Sequence, residues 1–389
     1  MVKTRVYKSI TEVDSLQWDG LVANRSLSFS HAFWRIIEQS ALNDFDYRYI
    51  VFFNANDQPI GLTTFYFVTT DIAIFAPLWL RNILTKARRF YGNFLKLKMI
   101  ECGTPIILNS PPFVVHPDYE LDGLIEPLHR TLKQQARKEG VLLLVLRDFE
   151  SQEHWLFEPL KAFGYHEVMG LPNTYLDIRW PTIEAYRADL KSYYRSKINN
   201  HLRKNAQWDV HHDLLDDFAH LADALCAQWM NVHERANEFQ REVLTPTFYR
   251  ELSLQLRPHA KILRFFKGER WVGHALLLHD RDEVRWLYFG RAEPVNDSLY
   301  LYVVQAVIQT TIELGAKRLE MGLTTYPIKQ DAGARLEPIR FAIRCPNDLI
   351  NPIVGRIYAL LNKPSPLRDR YVFKADPADE AANGEVEKS

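Results

Sequence analysis

Two stretches of the chain contain the same parts in the same order. They are residues 29–63 and 244–275, and each runs from a helical segment with an aromatic pair at its start into a hairpin of two strands. In each copy a glycine, Gly61 or Gly273, opens the return strand of the hairpin. Because one duplication explains both copies, we expect the chain to consist of two copies of one α/β unit.

The repeat continues downstream of the hairpins. In both halves a helix ends at a glycine and a strand follows, at Gly140 in the first copy and at Gly315 in the second. The offset between the copies falls from 212 residues at the hairpin glycines to 175 here, so the first copy contains an insertion of about 37 residues. We place it at residues 72–108, a cationic and aromatic segment without a counterpart in the second half.

The composition is that of a globular protein with two domains. The chain has 389 residues, of which 47% are hydrophobic and 25% charged. No apolar run is long enough to span a bilayer, and the basic N-terminus lacks the apolar core of a signal peptide. The three cysteines are dispersed, which is typical of a reducing compartment. We therefore expect a cytoplasmic protein.

Residues 375–389 differ from the rest of the chain. They contain five acidic residues and one lysine, so that residues 1–374 carry a net charge of about +4 although the whole chain is neutral. The segment is polar and has no aromatic residue. This composition predicts a disordered acidic tail.

Three segments resemble the GNAT acyltransferase superfamily and, in their tandem order, the Fem-type transferases. The first is the basic stretch 186–205, and the second is 322–334, in which a glycine, a tyrosine, a lysine and a Gly-Ala pair follow one another. The third is Trp18-Asp19 followed by residues 29–38. The resemblance implies an N-acyltransferase, because Fem-type enzymes attach amino acids or acyl groups to amines in peptidoglycan biosynthesis.

The resemblance also implies the fold. We expect an α/β (α+β) protein of two tandem GNAT-like domains, each with a mixed central sheet flanked by helices. The first domain is placed at residues 1–180 and carries the insertion, and the second is placed at residues 181–374. Leu160 lies four residues before Gly164, where the superfamily has its catalytic tyrosine. The first domain is therefore predicted to be non-catalytic and the second to be catalytic.

The same spacing selects a catalytic group in the second domain. Lys329 lies four residues before Gly333, at the position of the proton donor that serves the leaving group in typical GNAT enzymes. A lysine there stabilises a developing oxyanion as a fixed cation, or donates a proton if burial lowers its pKa. Tyr326 flanks this lysine. His274, which follows Gly273 on a strand, is a candidate base.

The segment that precedes the central helix of the second domain bears on the donor. Residues 291–300 contain no glycine, and Asp297 would repel a pyrophosphate that bound at this helix N-terminus, as it does in acetyl-CoA enzymes of the superfamily. The resemblance leaves acyl-CoA, acyl-carrier protein and aminoacyl-tRNA open as co-substrates, and many Fem-type enzymes use the last. No tightly bound cofactor is expected.

Polar and cationic residues near these positions are candidates for binding the donor. They are Tyr194, Arg195, Lys197, Arg203, Arg291, Asn296, Ser298 and Arg335. Their cationic groups suit phosphate or nucleotide recognition, whereas the alternative for the helix around residue 195 is a solvated face. The histidines at 211–212 and 233 have no third partner at ligand spacing, so no metal site is predicted.

The insertion contains a cationic amphipathic pattern at residues 78–98. Its apolar residues recur at helical spacing beside six basic residues, Arg81, Lys86, Arg88, Arg89, Lys96 and Lys98. Such a helix suits a membrane surface, an acidic carrier protein or nucleic acid, and the alternative is a helix packed on the first domain. A membrane contact would place the protein at the inner face of the membrane.

Three functional hypotheses follow. The leading one is a Fem-like transfer of an acyl or aminoacyl group, from a thioester or aminoacyl-tRNA, to a small-molecule or lipid-linked amine such as a cell-envelope precursor. The second is an acyl-CoA or acyl-carrier-protein dependent transferase of secondary metabolism. The third is a non-catalytic protein that uses its cationic helices to bind anionic lipid or RNA.

Overall fold

The computed structural model describes most of the chain. The described residues are 2–23, 26–71, 96–108, 110, 112–149, 156–235, 242–293, 295, 297–361 and 368–374. Some predictions lie outside these residues: the disordered tail 375–389, Asn296 as a donor contact, and the basic residues Arg81, Lys86, Arg88 and Arg89.

Strands and helices alternate along the whole chain. The strands are β1 (Lys3–Tyr7), β2 (Asp46–Phe53), β3 (Pro59–Asp71), β4 (Lys96–Cys102), β5 (Phe113–Val115), β6 (Leu143–Phe149), β7 (His166–Met169), β8 (Asn173–Asp177), β9 (Val210–Leu215), β10 (Ala260–Lys267), β11 (Arg270–Asp280), β12 (Glu283–Arg291), β13 (Arg318–Glu320), β14 (Arg335–Glu337) and β15 (Arg340–Arg344). The helices are α1 (Ser15–Val22), α2 (His31–Gln39), α3 (Asp122–Glu139), α4 (Phe157–Lys161), α5 (Ile183–Asp189), α6 (Ser192–Gln207), α7 (Ala222–His233), α8 (Pro246–Gln255), α9 (Leu299–Glu313), α10 (Tyr326–Asp331) and α11 (Asn351–Leu361).

The chain forms two compact units that are not contiguous in sequence. Unit 1 comprises Met1–Pro172, Phe239–Leu256 and Glu337–Pro366. Unit 2 comprises Asn173–Glu238, Arg257–Leu336 and Leu367–Ser389. These units differ from the contiguous domains 1–180 and 181–374 of the sequence analysis, because segments of each half of the chain belong to the other unit.

Each unit has one mixed sheet, and the two sheets have the same strand order. Unit 1 has β1-β2-β3-β4-β6-β15-β7, with β5 paired to β3, and unit 2 has β9-β10-β11-β12-β13-β8-β14. In both, the fourth and fifth strands are parallel, β4 with β6 and β12 with β13. The sixth strand comes from the other half of the chain. The expected duplication is confirmed, and with it an exchange of β8 and β15 that the sequence did not indicate.

The hairpin glycines lie at equivalent places. Gly61 is opposite Phe52, Gly273 is opposite Phe265, and in both hairpins the register shifts directly after that phenylalanine. A Cβ atom on Gly61 would lie 2.6 Å from the Leu124 side chain, and one on Gly273 would lie 2.7 Å from the carbonyl oxygen of Gly290. Glycine is required at both places because another element packs closely against the backbone.

The predicted insertion is shorter than the sequence analysis proposed. Residues 96–102 form β4, which pairs antiparallel with β3 and parallel with β6, as β12 pairs with β11 and β13. This part of the segment therefore has a counterpart in the second half. Lys96 and Lys98 lie on this strand, so the helix predicted for residues 78–98 was wrong at its C-terminal end. Lys98 Nζ forms a salt bridge with Glu139 Oε2 at 3.2 Å.

Each unit has its own apolar core. In unit 1, α3 covers the sheet with Leu124, Ile125, Leu128 and Leu132, all buried and all on one face of the helix. Gly140 ends this helix with φ 66°, in the left-handed region that glycine adopts without strain. In unit 2, the almost wholly apolar α9 fills the equivalent place. Within the described residues no helix is both long and apolar enough to cross a membrane.

Candidate active site

We call the place where the parallel strands of unit 2 part the cleft. Strands β12 and β13 are paired only from Glu283 to Arg285 on β12 and from Arg318 to Glu320 on β13. Beyond this point β12 continues to Arg291, whereas β13 ends and the chain turns toward α10. Because the two strands part at their carboxyl ends, the opening lies where ligands bind in open α/β sheets.

Glu320, the last residue of β13, lies at the floor of this opening. Its carboxylate accepts hydrogen bonds from Asn173 Nδ2 at 2.8 Å and from Arg285 Nε at 3.0 Å. Arg285 also pairs with Glu283 at 2.8 Å. Burial raises the pKa of Glu320 to about 7, although Arg285 acts in the opposite direction. A buried carboxylate therefore titrates near neutrality at the point where the strands part.

Lys329 on α10 is buried behind the turn that follows β13. Its Nζ donates to the carbonyl oxygens of Gly322 at 3.1 Å and Leu323 at 2.9 Å. Burial lowers the pKa of Lys329 to about 7, while Glu320 acts to raise it. The ammonium group thus holds the turn from within, and only 3% of the residue is exposed. Its cationic form is available near neutral pH at this end of the cleft.

The turn held by Lys329 has a strained backbone. Thr324 and Thr325 have φ values of 70° and 47°, in the left-handed region that β-branched residues rarely adopt. The hydroxyls of Thr325 and Tyr300 are 3.0 Å apart. Burial raises the pKa of Tyr300 to about 12, so its hydroxyl keeps its proton at neutral pH. The Tyr300 ring stacks on Trp286 of β12 with ring centres 5.7 Å apart.

The N-terminus of α9 is occupied by the protein's own carboxylate. Asp297 accepts from the Leu299 N–H at 3.0 Å and from Arg291 Nη2 at 2.9 Å, and its second oxygen accepts from Lys267 Nζ at 2.7 Å. Although burial acts to raise it, these three donors bring the pKa of Asp297 below its ordinary value. A pyrophosphate at this helix N-terminus would have to displace the Asp297 carboxylate from the Leu299 N–H.

Arg291 and Ser298, both predicted donor contacts, belong to this arrangement. Arg291 also donates to the carbonyl oxygen of Val295 at 2.6 Å. The Ser298 hydroxyl lies 3.0 Å from His201 Nδ1 of α6. Both side chains therefore organise the start of α9, and their contact with a donor stays a prediction.

The basic helix of the sequence analysis is α6, and several of its side chains bind acceptors within unit 2. Arg195 donates to the carbonyl oxygens of Ala188 at 3.1 Å and Leu190 at 3.3 Å, where α5 ends. Lys197 Nζ lies 2.5 Å from the buried carboxylate of Asp331, which Arg370 also contacts. Both groups are bound to acceptors of the protein itself, so the solvated face given as the alternative does not describe them, and their contact with a donor stays a prediction.

The remaining predicted residues of this helix differ in exposure. Tyr194 packs against the core of unit 2, and Arg203 is exposed, with Asn200 Oδ1 of its own helix 3.4 Å away. The exposed Tyr193 and Trp208 lie near the two ends of the helix. Cationic and aromatic side chains of this helix and of the residue after it are thus accessible to solvent.

The other predicted site residues are separate from the cleft floor. His274 is fully buried, its Nδ1 is 2.8 Å from Gln228 Oε1, and burial lowers its pKa to about 3. Because no face of the ring is accessible, the role of His274 as a base in the cleft was wrong. Arg335 pairs with Asp177 at 3.1 Å on the surface. Tyr326 begins α10 and is half-buried.

Unit 1 has a buried charged cluster at the equivalent end of its own parallel pair. Asp148 on β6 is fully buried with φ 66°, and within the described residues neither of its carboxylate oxygens accepts a hydrogen bond. Arg147 Nε is 3.4 Å from it, and Arg147 also donates to the Tyr66 hydroxyl at 2.8 Å. Burial raises the pKa of Asp148 to about 6, although Arg147 acts to lower it.

Several of these residues were missed in the sequence. Glu320 is the last residue of the short β13 and Asp148 lies near the end of the mostly apolar β6, so a charged residue at the end of a strand was the available signal. Arg285 and Asn173 gave no such signal in the sequence, because their hydrogen bonds to Glu320 depend on which strands pair. Among the described residues no group of histidine, cysteine, aspartate and glutamate side chains is arranged to bind a metal ion.

Two units with the same strand order, each with a parallel pair that parts at its carboxyl end, define a tandem GNAT-type acyltransferase fold. The family model described as peptidoglycan biosynthesis/recognition matches residues 9–325. The chain belongs to this FemAB-like family. The resemblance stated from the sequence is thereby confirmed.

Curated relatives match the sequence at low identity. In two strains of Mycobacterium tuberculosis, a protein named as 8-amino-7-oxononanoate synthase 2 is 25% identical over 330 residues, which cover 82% of this chain. The match covers 42% of the relative, so the chain spans less than half the length of these proteins.

Solved structures share the fold. FemX matches with a TM-score of 0.53 and 12% identity, covering 85% of this chain and 96% of its own. The C-terminal domain of a protein named as lysylphosphatidylglycerol synthetase, from Agrobacterium fabrum, matches with a TM-score of 0.54 and 11% identity, covering 93% of this chain and 100% of its own. A tandem GNAT protein of the clavulanic acid pathway matches with a TM-score of 0.50 and 11% identity, covering 89% of this chain and 99% of its own. Family and fold together support a transferase of acyl or aminoacyl groups.

Proposed function

We propose that the cleft of unit 2 transfers an aminoacyl or acyl group from an activated ester to an amine. In this reaction the amine nitrogen forms a bond to the donor carbonyl carbon and gives up one proton, the bond from that carbon to the leaving oxygen or sulfur breaks, and the leaving group takes up one proton. The single observation that carries the proposal is Lys329, a buried ammonium that holds a strained turn where two parallel strands part.

Lys329 does not contact the substrate in this proposal. Its ammonium group is a fixed cation behind the turn, and its charge acts on the substrate across the turn. A preorganised positive charge in a site of low dielectric constant stabilises negative charge that develops in the transition state. The paired hydroxyls of Tyr300, at the start of α9, and Thr325, on the turn, are the candidate proton donors for the leaving group. Tyr326 continues the same surface as a candidate substrate contact.

Aminoacyl-tRNA is the donor that the charges favour. Asp297 at the start of α9 disfavours the pyrophosphate of an acyl-CoA at that place. The exposed basic residues Arg203 and Lys204 of α6, with Tyr193 and Trp208 on the same helix and just beyond it, suit the phosphates and bases of RNA. The acceptor is an amine of a small molecule or of a lipid-linked cell-envelope precursor, as the family description suggests.

An assay of transfer to amines tests the proposal. We expect label from aminoacyl-tRNA to reach an amine acceptor, and ribonuclease to abolish the reaction. Lys329→Met, which keeps the length and removes the charge, is expected to lower turnover by about 10²–10³-fold. Lys317→Met is the matched control, because Lys317 is an exposed lysine of the same unit whose side chain is 76% accessible.

The alternatives give different results. Consumption of acyl-CoA or acyl-carrier-protein thioesters, without sensitivity to ribonuclease, would identify the second class of donor. Full activity of a folded Lys329→Met variant would refute the role of Lys329. If no donor is consumed while RNA or lipid binds tightly, the protein is a binding protein.

A further inference from the structure

A basic groove lies on the outer side of α3 in unit 1. It has a volume of about 500 Å³, and its lining includes Glu126, Arg130, Lys133, Arg137 and Phe163. The three cations are spaced three and four residues apart, so they lie on one face of the helix. Arg130 and Arg137 are exposed, and within the described residues neither guanidinium group has an acceptor. Arg130 and Arg137 therefore present positive charge on two turns of one helix, whereas Lys133 between them is paired with Asp348.

An apolar edge adjoins this groove. Leu349, Ile350 and Ile353 have 88%, 49% and 53% of their surface exposed. They lie next to Asp348, whose carboxylate accepts from Lys133 of the groove at 2.7 and 2.9 Å. The ion pair of Lys133 and Asp348 therefore joins the segment with the three aliphatic side chains to α3, which carries the arginines.

The apolar edge is held in place by hydrogen bonds. The Asn347 side chain accepts from the Leu349 N–H at 2.9 Å. Asn351 accepts from the Cys345 N–H at 2.9 Å and donates to the Gly164 carbonyl oxygen at 2.7 Å. The segment is therefore anchored on both sides, although Leu349 between them is almost fully exposed. Removal of this apolar surface from water would be favourable.

We propose that this surface docks unit 1 on an anionic membrane. Arginines attract anionic headgroups, and aliphatic side chains beside them enter the interfacial region of the bilayer. RNA would use the arginines, but its bases stack on aromatic side chains and gain nothing from three exposed aliphatic ones. The proposal rests on this surface alone and holds whether or not the proposed transfer reaction is correct.

Sedimentation of the full chain with vesicles tests the docking surface. The protein is expected to sediment with phosphatidylcholine vesicles that contain phosphatidylglycerol and to remain in solution with phosphatidylcholine alone. Arg130→Gln combined with Arg137→Gln is expected to lower partitioning roughly thirtyfold, since each basic residue at such a surface contributes about fivefold. Leu349→Ser with Ile350→Ser is expected to lower it as well.

Matched controls distinguish this surface from the other exposed residues of unit 1. Leu254→Ser, at a residue of α8 in unit 1 that is 63% exposed, and Lys8→Gln, at an exposed lysine of the same unit, are expected to sediment as the wild type does. Arg88→Gln with Arg89→Gln tests the segment predicted from sequence to bind membranes. If only this last variant loses binding, if binding does not depend on phosphatidylglycerol, or if the protein binds tRNA and no vesicles, the proposal is refuted.

Discussion

Lys329 is a residue whose ionisation couples folding to pH. Its pKa is 10.5 when exposed and about 7 in the folded protein, because burial disfavours the charged form. Between these values the unfolded chain binds a proton here that the folded chain does not. The free energy of unfolding therefore rises with pH in this window, by up to about 1.4 kcal/mol per pH unit, and below about pH 7 the cost of the buried charge is fully present.

Comparison of the wild type with Lys329→Met isolates this effect. From about pH 7 to about pH 9, the free energy of unfolding of the wild type is expected to rise by about 2 kcal/mol relative to the variant, as measured by chemical denaturation. Lys317→Met, which removes an exposed lysine, is expected to show no such trend. A parallel pH dependence of the wild type and Lys329→Met would show that the ammonium is solvated.

Asp148 is expected to give a pH dependence of stability opposite to that of Lys329: the free energy of unfolding falls as the pH rises. Its folded pKa of about 6 is above the ordinary 3.8, so its contribution to stability is present below about pH 3.8 and is lost as the pH rises through 6. From about pH 4 to about pH 7, the wild type is expected to lose about 2 kcal/mol relative to Asp148→Asn in chemical denaturation. Glu101 belongs to the same cluster, with its carboxylate 3.5 Å from Arg147 Nη1, and Glu101→Gln tests whether the loss belongs to Asp148. A constant difference would contradict the buried position of its carboxylate.

The candidate site could be predicted from the sequence only in part. Lys329 was found because its spacing from Gly333 is a local property of the chain. His274 was assigned wrongly because a polar residue on a strand gives no sign of which face it occupies, and this one packs under Gly290, where an added Cβ would lie 2.2 Å from its ring. Glu320, Arg285 and Asn173 meet through strand pairing, which no spacing reports.

At the scale of elements, the start of α9 is determined by Asp297. Ser298 precedes the helix but makes no capping hydrogen bond through its side chain, and Asp297 binds the Leu299 N–H instead. Asp297→Ala is expected to lower the free energy of unfolding by about 1–2 kcal/mol, whereas Asp297→Asn, which retains an acceptor, loses less. Denaturation of both variants measures the difference. Equal stability of wild type, Asn and Ala would show that the cap contributes nothing.

Helices and hairpins were the elements that the sequence predicted best. Capping residues and glycines are local signals, and the helix ends at Gly140 and Gly315 have φ values of 66° and 70°. Residues 96–98 were assigned to a helix because their apolar and basic pattern continues the preceding segment. They are a strand instead, since they pair with Thr69–Asp71 of β3 and the strand continues from Met99 between β3 and β6. Tertiary pairing thus overrides the local pattern there.

For the whole molecule, the exchange of the sixth strands has a direct consequence. Strand β7 pairs only with β15 among the described strands, and β15 also pairs with β6, so the sheet of unit 1 needs a strand from the second half of the chain. The sheet of unit 2 needs β8 from the first half in the same way. The duplication was visible in sequence because the copies keep their order, but the exchange was not, because the sequence of a strand does not show which of two similar sheets it joins.

A cut between the halves tests the exchange. Pro181 and Thr182 are exposed and lie between β8 and α5, so a protease site inserted there separates residues 1–181 from 182–389 after folding. Each fragment then contributes a central strand to a sheet of the other, and the two are expected to co-elute in size-exclusion chromatography under native conditions and to separate in denaturant. A site inserted at the exposed turn around Asp57, within unit 1, is the control for cleavage itself. If the halves separate without denaturant as two folded proteins, each sheet is complete within its own half and the exchange is refuted.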